Sequence, residues 1–354
     1  MAIPEVHKKL MKSSGLKFTL TVTTIFLLSN CSSQIPRTDI VSKSKINNQL
    51  MAERASNALM DARKIDDPNS GEITNLILQE NFEEFEKRSK YYEKQFLKNP
   101  LYESPLFKLY NAIDADSNHL LEKLDKWVKT RPSYISYAVR GVCKVNLGWI
   151  IRGDKYADDT SPENLFGMHL FHEEGKTDLL AAIKLNKRLS PAYCALIGIE
   201  MASGNIDSTT NIHDLAVRSI PQSYYVRYDY LKSLYPRWGG SFELMQEYVD
   251  GLDKAAQKNP RIWSLKAEVP AERGYTAWLD KDLDSAIQYY TEALSYGDRM
   301  SFLKYRGRLY MLVNQDALAL EDFMKYRKYD DTDKAVNAYI ISLTEKLGMN
   351  SPQK

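Results

Sequence analysis

The chain has 354 residues, of which 44% are hydrophobic and 27% are charged, the proportions of an ordinary folded protein. Glycine (16 residues) and proline (13 residues) are scarce, which argues against a turn-rich all-β protein and favours helices. Three cysteines are too few for a disulfide scaffold or a zinc cluster.

The excess of positive charge lies at the amino terminus. Lysine and arginine number 48 against 46 acidic residues, but residues 1–30 alone carry four lysines and one glutamate. The remainder of the chain therefore has 44 basic and 45 acidic side chains. A near-neutral body without a long basic run excludes nucleic acid as a partner.

An uncharged stretch, Phe18 to Leu28, follows these lysines. As a helix it would reach about 16 Å, whereas the hydrocarbon core of a bilayer is roughly 30 Å thick. A basic region followed by a short apolar region is typical of a signal peptide, which we expect over residues 1–30. Met11 is an alternative start, because Met11 to Cys31 already forms a complete signal.

The apolar stretch ends in Leu28-Ser29-Asn30-Cys31-Ser32. This segment resembles the bacterial lipobox, in which a leucine three residues before a cysteine directs cleavage and lipidation. Asn30 departs from the pattern, because glycine or alanine usually stands there. The resemblance implies a lipid on Cys31, and Ser32 in place of aspartate implies the periplasmic side of the outer membrane. An ordinary secretory signal and an anchoring helix are the alternatives, and the lack of an A-x-A cleavage site favours the lipoprotein.

Residues 31–72 are polar and poor in aromatic side chains. This composition is typical of a flexible tether, which would hold the folded body away from the lipid surface. Within it, a short helix is predicted from about Asn47 to Lys64, where leucines and alanines have loosely helical spacing.

From residue 73 onward the apolar spacing is that of amphipathic helices. Leu78, Phe82 and Phe85 recur at helical intervals, and Asn99-Pro100 ends the first such segment. A helix, a short turn and another helix then alternate to the end of the chain, and no alternating run is long enough for a strand. We therefore predict an all-α fold, with one helical domain over residues 73–258.

Residue sizes recur at a spacing of 33 positions in the last part of the chain. The matched pairs are Gly274 and Gly307, Ala286 and Ala319, and Tyr290 and Phe323. The pattern resembles the tetratricopeptide repeat, in which small residues let two helices approach and an aromatic residue fills the space beside them. Tyr326 replaces the last alanine of that pattern, and the period is one residue short. The resemblance implies a solenoid of helical hairpins over residues 259–354, with a capping helix from about Thr332 to Leu347.

The middle of the chain resembles a bacterial domain family of unknown function that often accompanies such repeats. The resemblance is carried by Trp127-Val128, by Arg140-Gly141 and most specifically by Pro236-Arg237-Trp238-Gly239-Gly240-Ser241. It covers roughly residues 73–258. It implies a helical, repeat-like fold and supplies no activity.

Two segments are candidate binding sites. Arg237 and Ser241 are predicted either to line a ligand pocket around Trp238, or to belong to a glycine turn in which Ser241 caps the next helix. Tyr224, Tyr225 and Tyr228 are predicted either to face a concave binding surface or to pack between helices. Both interpretations stay open for both segments.

Other reactive side chains give weaker signals. His169 and His172 share a helical face beside Glu173 and Glu174, so one metal could bridge them. Three protein ligands would be needed and no clear third histidine is nearby, so we predict no metal site and no cofactor. Cys143 and Cys194 either pair in an oxidising periplasm or fill core space as thiols. No catalytic residue is assigned.

These features predict a non-enzymatic scaffold that is lipid-anchored in the bacterial envelope and binds a protein or peptide there. The alternative is a small-ligand-binding protein, or an enzyme acting on an envelope substrate, at the Arg237–Ser241 segment. Fold alone does not decide between them.

Overall fold

The computed structural model describes residues 37–65, 68–155 and 157–349. The predicted signal peptide and Cys31 lie outside the described residues. The chain divides into the units Met1–Lys43 and Ser44–Lys354, and the second unit contains the core.

Seventeen α-helices and four short 3-10 helices make up the described part of the chain, which contains no strand, so the all-α prediction is confirmed. The α-helices are α1 (Arg37–Lys64), α2 (Ser70–Leu78), α3 (Phe82–Phe96), α4 (Glu103–Asn111), α5 (Leu120–Thr130), α6 (Tyr134–Arg152), α7 (Pro162–Leu185), α8 (Ser190–Ala202), α9 (Ile206–Ser219), α10 (Tyr225–Ser233), α11 (Phe242–Asp250), α12 (Asp253–Lys258), α13 (Glu268–Leu279), α14 (Leu283–Leu294), α15 (Met300–Leu312), α16 (Asp316–Arg327) and α17 (Lys334–Lys346). The 3-10 helices are Pro100–Tyr102, Ala157–Asp159, Pro236–Trp238 and Pro260–Ala267.

Side-chain caps fix where many of these helices begin. The side-chain oxygens of Ser133, Ser161, Asn205, Asp282 and Asp333 each accept a hydrogen bond from a backbone N–H in the first turn of the following helix. Such a bond satisfies one of the N–H groups that a helix leaves unpaired, and it is worth about 1 kcal/mol.

One hydrophobic core contains residues from α1 to α13. Trp127 of α5 is part of this core. The Trp127 ring stacks on Phe82 with centroids 4.7 Å apart and meets Phe85 edge to face. The same core includes Ile262 and Trp263 of the 3-10 helix Pro260–Ala267. This core therefore extends beyond residue 258, where the sequence pattern placed a domain boundary.

Helix α1 lies within residues 31–72, for which the sequence predicts a flexible tether that contains a short helix. Met51, Ala55, Ala58 and Ala62 are buried, and the hydroxyl of Ser56 accepts a hydrogen bond from the Asp298 backbone N–H at 2.8 Å. The predicted short helix is present and begins at Arg37, and its part from Met51 to Ala62 packs against other helices of the second unit. Alanines at helical spacing allow this close approach while leaving the segment polar in composition.

The four helices α13 to α16 repeat one packing pattern as two pairs. A Cβ atom on Gly274 of α13 would lie 3.1 Å from the Tyr290 ring of α14, and one on Gly307 of α15 would lie 2.8 Å from the Phe323 ring of α16. Each glycine thus lets an aromatic ring lie directly against the backbone of its partner helix. The predicted repeat-like arrangement of helical hairpins is confirmed.

Helix α17 covers the end of this array. Val336, Ile340 and Leu343 are buried against it, and Tyr339 stacks on Phe323 with centroids 5.1 Å apart. A terminal helix that covers the last apolar face is the element that a repeat array requires. In the described ranges, no helix is both long and apolar enough to cross a membrane.

Candidate binding cavity

A cavity of about 690 Å³ opens where α1, α10, α15 and α16 meet, and we call it the tyrosine cavity. Its lining combines tyrosines with basic side chains. The lining residues are Leu59, Ala62, Arg63, Ser104, Tyr224, Tyr225, Tyr228, Arg261, Asp298, Arg299, Met300, Ser301, Lys304, Tyr305, Arg308, Tyr326 and Tyr329.

Helix α15 supplies one wall through helical spacing. Met300, Lys304 and Arg308 recur every four residues, and Ser301 and Tyr305 form the adjacent row, so all five lie on one face. Another face of α15 points toward the core of the hairpins, where Leu303 is buried. The same helix therefore contributes to the core and to the cavity.

The three tyrosines selected from the sequence lie together in this cavity. The rings of Tyr224 and Tyr228 are parallel, with centroids 6.0 Å apart, and Tyr225 stacks on Phe107 at 4.1 Å. The backbone N–H of Tyr224 donates to a carboxylate oxygen of Glu103 at 2.7 Å. These tyrosines therefore pack between helices and also present surface to the cavity, which combines the two predicted roles.

Arg261 is held rigidly beneath these rings. It is 1% exposed, and its guanidinium donates to the Ser104 hydroxyl at 2.7 Å and to the Pro100 carbonyl at 2.6 Å. The guanidinium carbon lies 5.1 Å from the centre of the Tyr224 ring, and the nearest carboxylate oxygen of Glu103 is 3.6 Å away. Cation–π contact and an ion pair thus fix a positive charge at the floor of the cavity.

Two further cations of the lining have acidic partners. Arg299 forms an ion pair with Glu268, which also accepts a hydrogen bond from the Tyr235 hydroxyl at 2.5 Å. Lys304 pairs with Asp333 at 2.6 Å. Their charges are therefore largely neutralised by protein groups.

Arg63 and Arg308 are different, because both are exposed and neither forms an ion pair with any residue that the structure describes. Asp298 is the one acidic side chain of the lining, and it accepts a hydrogen bond from the Tyr329 hydroxyl at 3.4 Å. The charge of Arg63 also acts on the nearby carboxylate of Asp330, so Arg308 is the cation of the lining whose charge remains for a ligand.

Two phenols of the cavity, those of Tyr228 and Tyr326, stay protonated at neutral pH. The negative charge of Glu268, together with burial, raises the pKa of Tyr228 to about 12. Burial, together with the hydrogen bond to Asp333, raises the pKa of Tyr326 to about 12. Protonated phenols donate hydrogen bonds, so the walls suit an acceptor-rich or anionic group rather than proton abstraction.

The Arg237–Ser241 segment forms a turn away from the tyrosine cavity. Ser241 caps α11 by accepting a hydrogen bond from the Leu244 N–H at 3.2 Å. Gly239 has φ +90°, and a Cβ atom on Gly240 would lie 2.0 Å from the Leu234 carbonyl oxygen. Only glycine fits both positions of this turn.

The structure does not bring the three candidate residues of this turn into one pocket. Arg237 pairs with Glu272 at 3.2 Å, and its guanidinium carbon lies 4.9 Å from the Tyr235 ring. Trp238 instead meets Trp149 edge to face, with centroids 6.0 Å apart, and lines a separate cavity of about 360 Å³. Arg237 thus fixes the turn against α13, and Trp238 faces α6.

The cysteines and histidines have separate surroundings. Cys143 and Cys194 are free, buried thiols, and burial raises the pKa of Cys143 to about 12. His172 is buried whereas His169 is exposed, so the two rings do not face one common site. No group of three or more His, Cys, Asp or Glu side chains that could hold a metal ion exists in the described ranges.

Sequence reasoning found the tyrosines but missed the basic side chains around them. The four-residue spacing of Lys304 and Arg308 was readable as a basic stripe on α15. Arg63 and Arg261 gave no such signal, because they reach the cavity from α1 and from the 3-10 helix Pro260–Ala267, far apart in sequence.

Residues 212–259 match the family described as "Domain of unknown function (DUF4034)". The matched range is the carboxy-terminal part of the segment 73–258, and it includes the Arg237–Ser241 turn and the tyrosines of α10. No curated protein matches the chain.

Proposed function

We propose that this protein is a non-enzymatic binding module that holds a peptide segment of a protein partner in the tyrosine cavity. The observation that carries the proposal is the charge of Arg308, which forms no ion pair with a described residue, in a cavity rich in tyrosines. Tyrosine offers large apolar contact with a polar tip at low entropic cost, and arginine recognises carboxylates.

The hairpin array favours a peptide as the ligand. A cavity of about 690 Å³ is large enough for several side chains, and it continues along the exposed face of α15. The 33-residue spacing and the glycine–aromatic contacts at Gly274 and Gly307 support kinship with the tetratricopeptide repeat. Stacked hairpins present extended surfaces for such ligands.

Attachment to the bacterial envelope is the second part of the proposal. It is supported by the sequence Leu28-Ser29-Asn30-Cys31 after a basic and apolar segment. A lipid on Cys31 would place the folded unit at the periplasmic face of the outer membrane. The partner would then be a protein or peptide of the cell envelope.

Site-specific photo-crosslinking in intact cells tests this function. A benzoylphenylalanine is placed at Tyr305, which lines the cavity and is 43% exposed, and separately at Tyr91, which is 50% exposed and lies outside it. We expect one discrete adduct from position 305 that is absent from position 91 and is lost when Arg308→Glu is added. The same adducts from both positions, or none from position 305, would refute peptide binding in this cavity.

A small-molecule site beside Trp238 is the second candidate. Trp149, Trp238, Asp229 and Lys232 line the cavity of about 360 Å³ there, which suits a compact polar ligand with an aromatic or sugar ring. Native mass spectrometry of protein purified from cells tests it. A bound mass that disappears in Trp238→Ala and persists in Arg308→Glu would favour this candidate over the peptide.

A further inference from the structure

A small apolar cavity adjoins the tyrosine cavity, and we call it the apolar notch. It has a volume of about 60 Å³ and is lined by Trp278, Tyr290, Tyr305, Arg308, Leu309 and Leu312. Tyr305 and Arg308 also line the tyrosine cavity, so the two spaces share one wall on α15.

The rim of the apolar notch exposes large apolar side chains. Trp278 of α13 is 40% exposed and Leu312 of α15 is 61% exposed. The floor is rigid, because the buried ring of Tyr290 stacks on Tyr305 with centroids 5.7 Å apart. Exposed apolar side chains around a preformed depression are typical of a surface that a partner covers.

The charge of Arg308 indicates which chemical group of a ligand would bind beside the apolar notch. Arg261, Arg299 and Lys304 each have an acidic partner within the protein, whereas Arg308 has none among the described residues. Arg308 stands at the boundary between the apolar notch and the tyrosine cavity. An acidic group bound there would be neutralised by a guanidinium that offers paired donors.

We infer that the bound peptide carries an acidic side chain opposite Arg308 and an apolar side chain in the apolar notch, two residues apart along an extended segment. This inference rests on the proposed peptide-binding function. Arg308 and Leu312 are one helical turn apart on α15, which is a rise of about 6 Å. Side chains at positions i and i+2 of an extended chain lie on the same side, about 6.7 Å apart, which matches that rise.

Selection from a random octapeptide library displayed on phage, with the full chain as bait, gives the first test. Enriched sequences are expected to carry Asp or Glu and, two positions away, Leu, Ile, Phe or Met. Enrichment of peptides without an acidic residue would overturn the inference while leaving peptide binding intact. If no peptide is enriched on the wild-type chain over a surface without bait, the proposed function itself is refuted.

Fluorescence anisotropy with the most enriched peptide, synthesised with a fluorescein label, then separates the two contacts. Arg308→Glu and Leu312→Ser are each expected to weaken binding at least about tenfold. The matched controls are Arg188→Glu, at an exposed arginine outside both cavities, and Leu185→Ser, where the leucine is 62% exposed, close to the 61% of Leu312. The controls are expected to leave the affinity unchanged.

Peptide variants complete the test as a double-mutant cycle. Replacing the acidic residue of the peptide by its amide should weaken binding to the wild type about tenfold. The same replacement should hardly change binding to Arg308→Gln, because that variant has already lost the contact. Equal losses in both proteins would overturn the pairing.

Vesicles of phosphatidylglycerol are tested in parallel. Binding to them that depends on Arg308, without peptide enrichment, would assign the site to an anionic lipid and refute the inference.

Discussion

The guanidinium of Arg261 lies 3.6 Å from the carboxylate of Glu103, and side chains of both residues are almost completely inaccessible to solvent. Glu103 also accepts hydrogen bonds from the Ser223 hydroxyl and the Tyr224 backbone N–H. Helix α4, the start of α10 and the 3-10 helix Pro260–Ala267 are thus joined by one buried polar network. That network forms the floor of the tyrosine cavity, so the shape of the cavity depends on it.

Replacement Glu103→Gln is expected to lower the free energy of unfolding by about 3 kcal/mol, because it leaves the charge of Arg261 buried without its partner. Urea denaturation followed by circular dichroism measures the loss. Glu122→Gln is the control, since its side chain is 77% exposed and pairs with exposed His119. If Glu103→Gln costs no more than this control, the network does not stabilise the fold.

Removing both charges separates the ion pair from the rest of the network. The double variant Glu103→Gln with Arg261→Met is expected to be more stable than Glu103→Gln alone, because no unpaired charge then remains buried. A double variant that is less stable by the full sum of the two single losses would contradict this explanation.

Stability should also fall in acid because of a buried histidine. Burial lowers the pKa of His172 from 6.5 to about 4. Between these values the unfolded chain binds a proton that the folded chain does not, so the free energy of unfolding decreases as the pH falls from 6.5 toward 4. For one such group the loss approaches roughly 3 kcal/mol at pH 4.

The change His172→Gln is expected to reduce this dependence on pH. The measurement is the difference between urea midpoints at pH 7 and pH 4.5, which should be smaller in the variant than in the wild type. His169→Gln is the control, because His169 lies one turn away on α7 and is exposed. An unchanged difference in His172→Gln would show that other groups cause the acid sensitivity.

The sequence predicted the repeat but only part of the cavity. The reason is that the repeat depends on contacts within one hairpin, whereas the cavity depends on contacts between distant segments. Gly274 and Tyr290 pack within one hairpin, so their sizes are constrained at a fixed local spacing that recurs at Gly307 and Phe323. The tyrosines at the start of α10 could be selected because they lie close together in the sequence. Arg63 lies in the same cavity as these tyrosines because of a contact between segments far apart in the sequence, and no spacing within a short segment predicts such a contact.

The packing of α1 could not be predicted from the sequence for a related reason. Helix α1 buries mainly alanines, such as Ala55 and Ala58, which contribute little to the apolar pattern of a segment rich in polar residues. Gly297, with φ +127°, brings its backbone close to this helix, so the contact depends on a turn some 240 residues away, as the Ser56–Asp298 hydrogen bond illustrates. Composition alone therefore suggested a mobile linker.

The two repeat glycines should differ in their tolerance of alanine. A Cβ atom at position 307 would lie 2.8 Å from the buried Phe323 ring, whereas one at position 274 would lie 3.1 Å from the Tyr290 ring. Overpacking costs about 1–3 kcal/mol, and alanine recovers up to about 1 kcal/mol of helix propensity. We expect Gly307→Ala to destabilise by roughly 1–2 kcal/mol and Gly274→Ala to be closer to neutral.

Chemical denaturation of both variants decides the order. Adding Phe323→Leu to Gly307→Ala should then cost less than Phe323→Leu costs in the wild type, because the smaller side chain relieves the clash. A larger loss from Gly274→Ala than from Gly307→Ala would contradict the packing that defines the repeat.

The proposed lipid anchor makes a prediction that does not depend on the cavity. Cys31→Ser should abolish incorporation of radiolabelled palmitate and move the protein out of the membrane fraction, because the lipid is first attached through the thiol. Globomycin, which inhibits the lipoprotein signal peptidase, should cause the unprocessed wild-type chain to accumulate. Asn30→Gly restores the residue usual before a lipidated cysteine, so it should speed processing, while Asn30→Lys should block it. Palmitate labelling that persists in Cys31→Ser, or maturation that ignores globomycin, would leave an ordinary secretory signal as the explanation of the first 31 residues.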